Sequence, residues 1–244
     1  MFKEVLRRLT GSSEQRPWSP HEPHQLQETS PGTSACDGTT APASDTTPSA
    51  APADAPKDRF DAFQAPYRLH LGCGHIPLEG FCNVDALSAT AADVIDDIRT
   101  LRRFPDGSVE EIYACHVLEH FAHDEVEPLL QRWRELLQPG GKLRISVPDM
   151  DRIVHIYAKN FAHFQKPGHT PWIGLIYGGQ TTPYDFHKTG FNACWLRYLL
   201  ERNGFSDCEE YPHEPHFVPG TVDASLAKEP FGEFLSLNMV ATRT

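Results

Sequence analysis

Three clusters of residues in this 244-residue chain could do chemistry. The first is HLGCGHIPLEGFCNVDA, His70 to Ala86, in which Gly72 and Gly74 bracket Cys73 and Asp85 follows eleven positions after Gly74. A glycine turn lets a ligand approach the backbone, and a carboxylate accepts two hydroxyl hydrogen bonds at once. The second is HVLEH, His116 to His120. Two imidazoles and a carboxylate so close together could ligate a metal, carry protons, or tie down a loop at a strand end. The third is YDFHKTGFN, Tyr184 to Asn192, where His187 and Tyr184 are the groups able to accept or orient a proton. His187 has a structural alternative, capping the helix that follows.

Such groups need rigid elements to hold them. Tyr67, Leu69 and Leu71 alternate with Arg68 and His70 and run into the glycine turn, a strand signal. FCNVDA reads as a second strand, ADVIDDI as a short third ending in acids, and EIYAC, after the turn FPDGS, as a fourth. From about Asp124 to Leu137 an acid-rich first turn precedes Leu129, Trp133, Leu136 and Leu137 at helical spacing, and Pro139-Gly140-Gly141 ends the pattern. Leu143, Ile145 and Val147 then alternate into Pro148 as another strand. The pattern predicts a helix over about Met150 to Phe161 and loop over about Lys166 to Thr189. Asn192 caps a helix carrying Leu196, Leu199 and Leu200 that stops at Asn203-Gly204, and strands at Cys208 to Tyr211 and Phe234 to Thr242 close the chain. This order predicts an α/β fold with a mostly parallel sheet and helices on its faces. Alternation in Tyr67 to Leu71 and Leu143 to Val147 is unusual for central parallel strands, which are normally apolar on both sides. Either one face is thinly covered or the polar residues find partners.

Composition narrows the function. From about Gly11 to Lys57 the chain is dominated by Ser, Thr, Pro, Ala and Gly, too poor in large apolar residues to offset its ordering entropy. We therefore expect a disordered arm over 1–58 and one folded domain over 59–244. MFKEVLRRLT places Phe2, Leu6 and Leu9 on one helical face opposite Lys3, Arg7 and Arg8, either a short helix docking weakly on a membrane or partner, or a frayed end. No hydrophobic core follows it as in a secretory signal, and no apolar run is long enough to span a bilayer. The net charge of -11, without a Lys/Arg cluster, disfavours a nucleic-acid partner. Six cysteines, Cys36, Cys73, Cys82, Cys115, Cys194 and Cys208, form no C-x-x-C pair and read as buried small apolar residues of a reducing, cytoplasmic compartment.

A dinucleotide fingerprint would need G-x-G-x-x-G opening a helix and an acid about 20 residues on. Here Gly74 is followed by His75-Ile76-Pro77 and Asp85 arrives too early, so NAD is a poor fit. L-x-L-G-C-G, N-V-D-A, D-D-I, F-P-D-G-S, I-Y-A-C-H-V-L-E-H and L-L-Q-P-G-G-K-L-R-I-S-V-P-D, in that order from Tyr67 to Pro148, resemble the motif series of S-adenosylmethionine-dependent methyltransferases with a Rossmann-like, type 11-like domain. The resemblance implies a mostly parallel sheet with an antiparallel last strand, and the short Gly74-to-Asp85 link implies a shortened first crossover. It implies S-adenosylmethionine as cofactor, with Leu71, Gly72, Cys73 and Gly74 beside its methionine part. Asp85 and Ala86 would lie at the ribose, Asp97 and Ile98 at the adenine, and Cys115 and His116 at the sulfonium and acceptor. His70 stands where the family often has an acid.

Methyl transfer is an in-line displacement, and a base is needed only for a protonated acceptor. We expect His187 as acceptor-side base or orienter, with His120 and Tyr184 in support. No Asn/Asp-Pro-Pro-Tyr turn follows the fourth strand, which with the acidic charge favours a small-molecule or glycan-like acceptor, methylated at O or N. The alternatives are a catalytically silent interaction protein and an H-x-x-E-H zinc hydrolase, which needs His116 and His120 on one helical face with Glu119 as base. We expect no resident metal.

Overall fold

The computed structural model divides the chain into two units, Met1–Ala50 and Ala51–Thr244. It describes residues 58–244 apart from 89, 167–171 and 229–231. The expected disordered arm, the amphipathic start and Cys36 lie outside the described residues.

Seven strands form one sheet in the order β3-β2-β1-β4-β5-β7-β6. β1 (Tyr67–Leu71), β2 (Cys82–Asp85), β3 (Val94–Ile95), β4 (Val109–Cys115) and β5 (Leu137–Pro148) run parallel. β7 (Ser236–Arg243) is antiparallel to β5 and to β6 (Phe205–Glu210). This is the α/β sheet with an antiparallel last strand that the motif order predicts.

Two helices cover one face. α1 (His123–Leu136) turns Val126, Leu129, Leu130, Trp133 and Leu136 inward. Glu125 begins it by accepting the Ala122 N–H at 2.8 Å. Near the chain's end, Asn192 accepts the Trp195 N–H at 2.9 Å and so caps α5 (Ala193–Arg202), as its sequence predicts. Leu69, Leu71, Ile112, Ala114, Leu143, Ile145 and Val147 are buried in the core these helices complete.

The opposite face explains the alternating strands. Among the described residues of 72–81 and 86–93 there is no helix, so the connections after β1 and β2 supply no helical layer there. The face is covered instead by the excursion between β6 and β7, whose Phe217, Val218 and Ala224 pack on Leu78, Phe81, Tyr113 and Cys115. Polar residues on this face have partners. Glu111 accepts from Arg68 at 2.9 and 2.7 Å and from Arg144 at 2.7 Å, one carboxylate pairing strands on both sides of β4. His70 meets Asn83 at 3.1 Å and stacks on Tyr113, whose hydroxyl donates to Asp223 at 2.8 Å.

α2 (Met150–Lys159) starts at Asp149, which accepts the Asp151 N–H at 3.0 Å, and α3 (Phe161–Phe164) follows. The expected loop after Lys166 contains a helix, α4 (Trp172–Tyr177). Its Leu175, partly buried, packs on the cluster of Ile153, Ile156, Phe164 and Leu235, a contact remote in sequence that local patterning does not show. Cys73, Cys82, Cys115 and Cys208 are buried as expected, whereas Cys194 is exposed on α5. No helix among the described residues is long and apolar enough to cross a membrane.

Two outcomes follow from this packing. Glu111→Ala strands two guanidinium groups and should lower the unfolding free energy in urea by about 2 kcal/mol. Burial pushes the Cys73 and Cys82 thiols up to about 12, so peptide mapping after alkylation of the native protein at neutral pH should find Cys194 modified and both of these spared.

Candidate active site

The carboxyl ends of β1 to β4 open into a cavity of about 550 Å³. This is where a doubly wound sheet binds its ligands. On one side lie Gly72, Asp85 and Ala86, with Asp96, Asp97 and Ile98. On the other lie His116, His120 and Phe121 with Tyr184, Asp185 and Lys188.

Gly72 is required sterically. Its φ is +65°, and a Cβ there would stand 2.5 Å from a Val117 methyl. Asp85 is set by the turn it follows. Its carboxylate accepts the Gly74 N–H at 2.9 Å on one oxygen and the Leu87 N–H at 2.9 Å on the other, leaving lone pairs on both oxygens for a ligand.

The acidic pair at the end of β3 divides its work. Asp97 grips Arg99 through contacts of 2.8 to 3.1 Å, and the Arg99 hydrogen bonds hold its carboxyl below the usual range. The Ile98 carbonyl accepts the Trp133 indole N–H at 3.0 Å. Asp96 instead has a buried carboxylate oxygen with no hydrogen-bond partner, and it lines the cavity. Sequence reasoning passed over Asp96, although the doubled acid D-D was its signal.

His116 has φ +51°, a left-handed backbone that a non-glycine residue adopts at a cost, and it lines the cavity. The turn after it, Leu118–His120, is a 3-10 turn rather than an α-helix. It buries Glu119, which is 1% exposed, among three imidazoles. His116 Nδ1 lies 3.2 Å and His187 Nε2 4.0 Å from Glu119 Oε1, and the His120 and His187 rings meet edge to face at 4.9 Å. Burial pushes the Glu119 carboxyl up, but the His116 and His120 imidazoles outweigh it and hold the carboxyl below its ordinary value. Burial pushes the His187 imidazole down. The Glu119 carbonyl accepts the Lys188 and Thr189 N–H groups at 2.7 and 3.2 Å, which fixes the 182–188 loop to the end of β4.

Of the residues the sequence singles out, Gly72, Asp85, Ala86, Asp97, Ile98, His116, His120 and Tyr184 line the cavity. Gly74 braces Asp85 from behind. Leu71 and Cys73 are buried beside the turn, and Cys115 faces the opposite side of the sheet, against Tyr113. His187 is half-buried behind His120, with its Nδ1 2.9 Å from the Leu175 carbonyl. His75 is exposed in the turn. The H-x-x-E-H zinc-hydrolase geometry is absent, because no α-helix presents His116 and His120 on one face with Glu119 as base.

Residues 81–145 match the model of a methyltransferase domain family. No curated protein gives a significant match. Among solved structures, the chain resembles a SAM-dependent methyltransferase from Archaeoglobus fulgidus, at 15% identity and TM-score 0.44 over 76% of this chain and 90% of that one. It also resembles a Burkholderia thailandensis 1,6-didemethyltoxoflavin-N1-methyltransferase, at 16% identity and TM-score 0.42 over 73% and 72% of the two chains. The match to the CurJ carbon methyltransferase covers 74% of this chain and about half, 49%, of that one, at 16% identity and TM-score 0.44. The family match covers β2 to β4 and most of β5, in the parallel part of the sheet whose carboxyl ends border the cavity.

The cavity suits the cofactor of that family. Gly72 keeps it open, Asp85 retains acceptor capacity on both oxygens, and Asp96 adds an unpartnered acceptor oxygen. Asp85→Asn keeps the shape of the side chain but removes its charge. It should weaken S-adenosylhomocysteine binding by about 10-fold or more in calorimetry, and it should also lower the melting temperature, because the amide NH2 cannot accept the Gly74 or Leu87 N–H that the carboxylate oxygen it replaces accepts.

Proposed function

We propose that this protein transfers a methyl group from S-adenosylmethionine to a small-molecule or glycan-like acceptor, at O or N. The observation that carries this reading is the single cavity joining Gly72, Asp85 and Asp96 to the acceptor-side wall of His120 and Tyr184. Its volume falls in the range of small-ligand pockets.

When bound, S-adenosylmethionine supplies an electrophilic methyl on a sulfonium. Asp85 receives the ribose hydroxyls, Asp96 and Asp97 border the purine, and the Gly72 turn admits the methionine part. The loop 182–188 holds the acceptor in line from the opposite wall. His120 faces the cavity, and with Nδ1 3.2 Å from the Phe186 carbonyl its other nitrogen is the one able to take a proton from an acceptor hydroxyl or amine. His187, expected from sequence as the base, stands behind His120 in our reading and positions it. Tyr184 borders the acceptor. Asp85, Asp96, Asp97, Glu125 and Asp185 outnumber Arg99 and Lys188 around the cavity, which favours a sulfonium cation and disfavours a polyanionic acceptor.

Calorimetry with S-adenosylhomocysteine and transfer of a labelled methyl from S-adenosylmethionine to pooled small hydroxylated or amino acceptors test this reading. Binding is expected in the wild type, and His120→Ala should cut turnover by about 100-fold while leaving S-adenosylhomocysteine affinity unchanged. A wild-type protein that binds no S-adenosylhomocysteine would sink the proposal.

A further inference from the structure

Glu119 poses an electrostatic problem that the cofactor site does not solve. It is 1% exposed, and neither carboxylate oxygen has an aligned hydrogen-bond partner. The imidazoles around it all present lone pairs. His187 Nδ1 lies 2.9 Å from the Leu175 carbonyl and His120 Nδ1 lies 3.2 Å from the Phe186 carbonyl. A carbonyl only accepts, so each neutral ring carries its hydrogen on Nδ1 and leaves Nε2 bare. His116 reaches the same result by another route. Ser236 donates its one hydroxyl hydrogen to the Ala224 carbonyl at 2.9 Å and so accepts from His116 Nε2 at 2.8 Å, leaving Nδ1 bare at 3.2 Å from Glu119.

Bare nitrogens of His116 and His187 thus lie 3.2 and 4.0 Å from a buried Glu119 oxygen with no aligned donor between them, an arrangement that a positive charge would stabilise. A proton on one ring would point an N–H along the line to a Glu119 oxygen, and no such aligned bond exists. A metal cation satisfies the acceptors of Glu119, His120 and His187 together. One ligand atom from each of Glu119, His120 and His187 lies within 4.8 Å of the others. Ligands around a tetrahedral zinc stand about 3.3 Å apart, so modest side-chain closure completes the set. The backbone carbonyls on both Nδ1 atoms are the outer partners that metal-binding histidines normally have.

We infer that Glu119, His120 and His187 form a binding site for one divalent transition-metal cation, on the acceptor side of the cavity. Two imidazoles and a carboxylate suit Zn²⁺, Fe²⁺ or Mn²⁺ better than Mg²⁺ or Ca²⁺. Metal binding at these side chains stands independently of methyl transfer. Its purpose rests on the proposed function, because a cation held by His120 would lower the pKa of a coordinated acceptor hydroxyl, whose proton leaves to solvent, so that His120 acts as metal ligand in the loaded protein and as base only in the metal-free one.

The test uses the full chain without an affinity tag, stripped with chelator and titrated with Zn²⁺ or Co²⁺. One equivalent should remain after dialysis, and Co²⁺ should give the visible absorption of a low-symmetry nitrogen and oxygen site. His187→Ala and Glu119→Gln should each weaken binding by about 100-fold or more. His120→Ala, a change at the cavity wall, repeats the test should Glu119→Gln fail to fold. Wild-type protein that retains no metal, or His187→Ala and His120→Ala variants that bind as tightly as wild type, would overturn the inference. Calorimetry of the stripped protein with S-adenosylhomocysteine reads the methyltransferase proposal separately, so either can fail alone.

Discussion

The connections after β1 and β2 are too short for helices, and much of the rest follows from that constraint. A parallel crossover normally needs a dozen or more residues, usually folded as a helix that buries one face of the sheet. Residues 72–81 cannot supply one, so a sheet face would stand open at its centre. The long connection between β6 and β7 fills the gap with Phe217, Val218 and Ala224, and a non-helical cover leaves polar atoms to be matched individually. Glu111 between two arginines and His70 on Asn83 are those matches.

The same brevity shapes the side of the cavity that Gly72 and Asp85 line. Asp85 comes back to the glycine turn directly enough to accept the Gly74 N–H, so the carboxylate and the turn form one rigid unit. On the side lined by His116 and His120, Glu119 has the corresponding role. Its backbone carbonyl binds the 182–188 loop, while its side chain collects imidazoles from two segments far apart in sequence. The two halves of the cavity are thus built differently. One is set by a local turn, and the other by a buried charge that draws distant segments together.

Legibility in the sequence followed the range of the interactions. The strands, α1, α5 and the Asn192 cap were readable because apolar spacing and capping are local. So were Gly72, Gly74 and Asp85, which lie within one turn. Helix α4 was missed because its stability comes from Leu175 packing on a remote cluster. Asp96 and Asp97 could not be told apart, since both are acids at a strand end and only the packing of Arg99 and Trp133 decides which oxygen stays unpartnered.

The sequence by itself determined most of the order of elements, the family resemblance and eight of the residues that line the cavity, because periodicity and motif spacing are properties of the chain. Only the tertiary structure decided that the H-V-L-E-H letters fold as a 3-10 turn around a buried carboxylate, and that His187 stands behind His120. Burial and side-chain direction arise when segments remote in sequence pack together. No spacing rule for five residues contains that information.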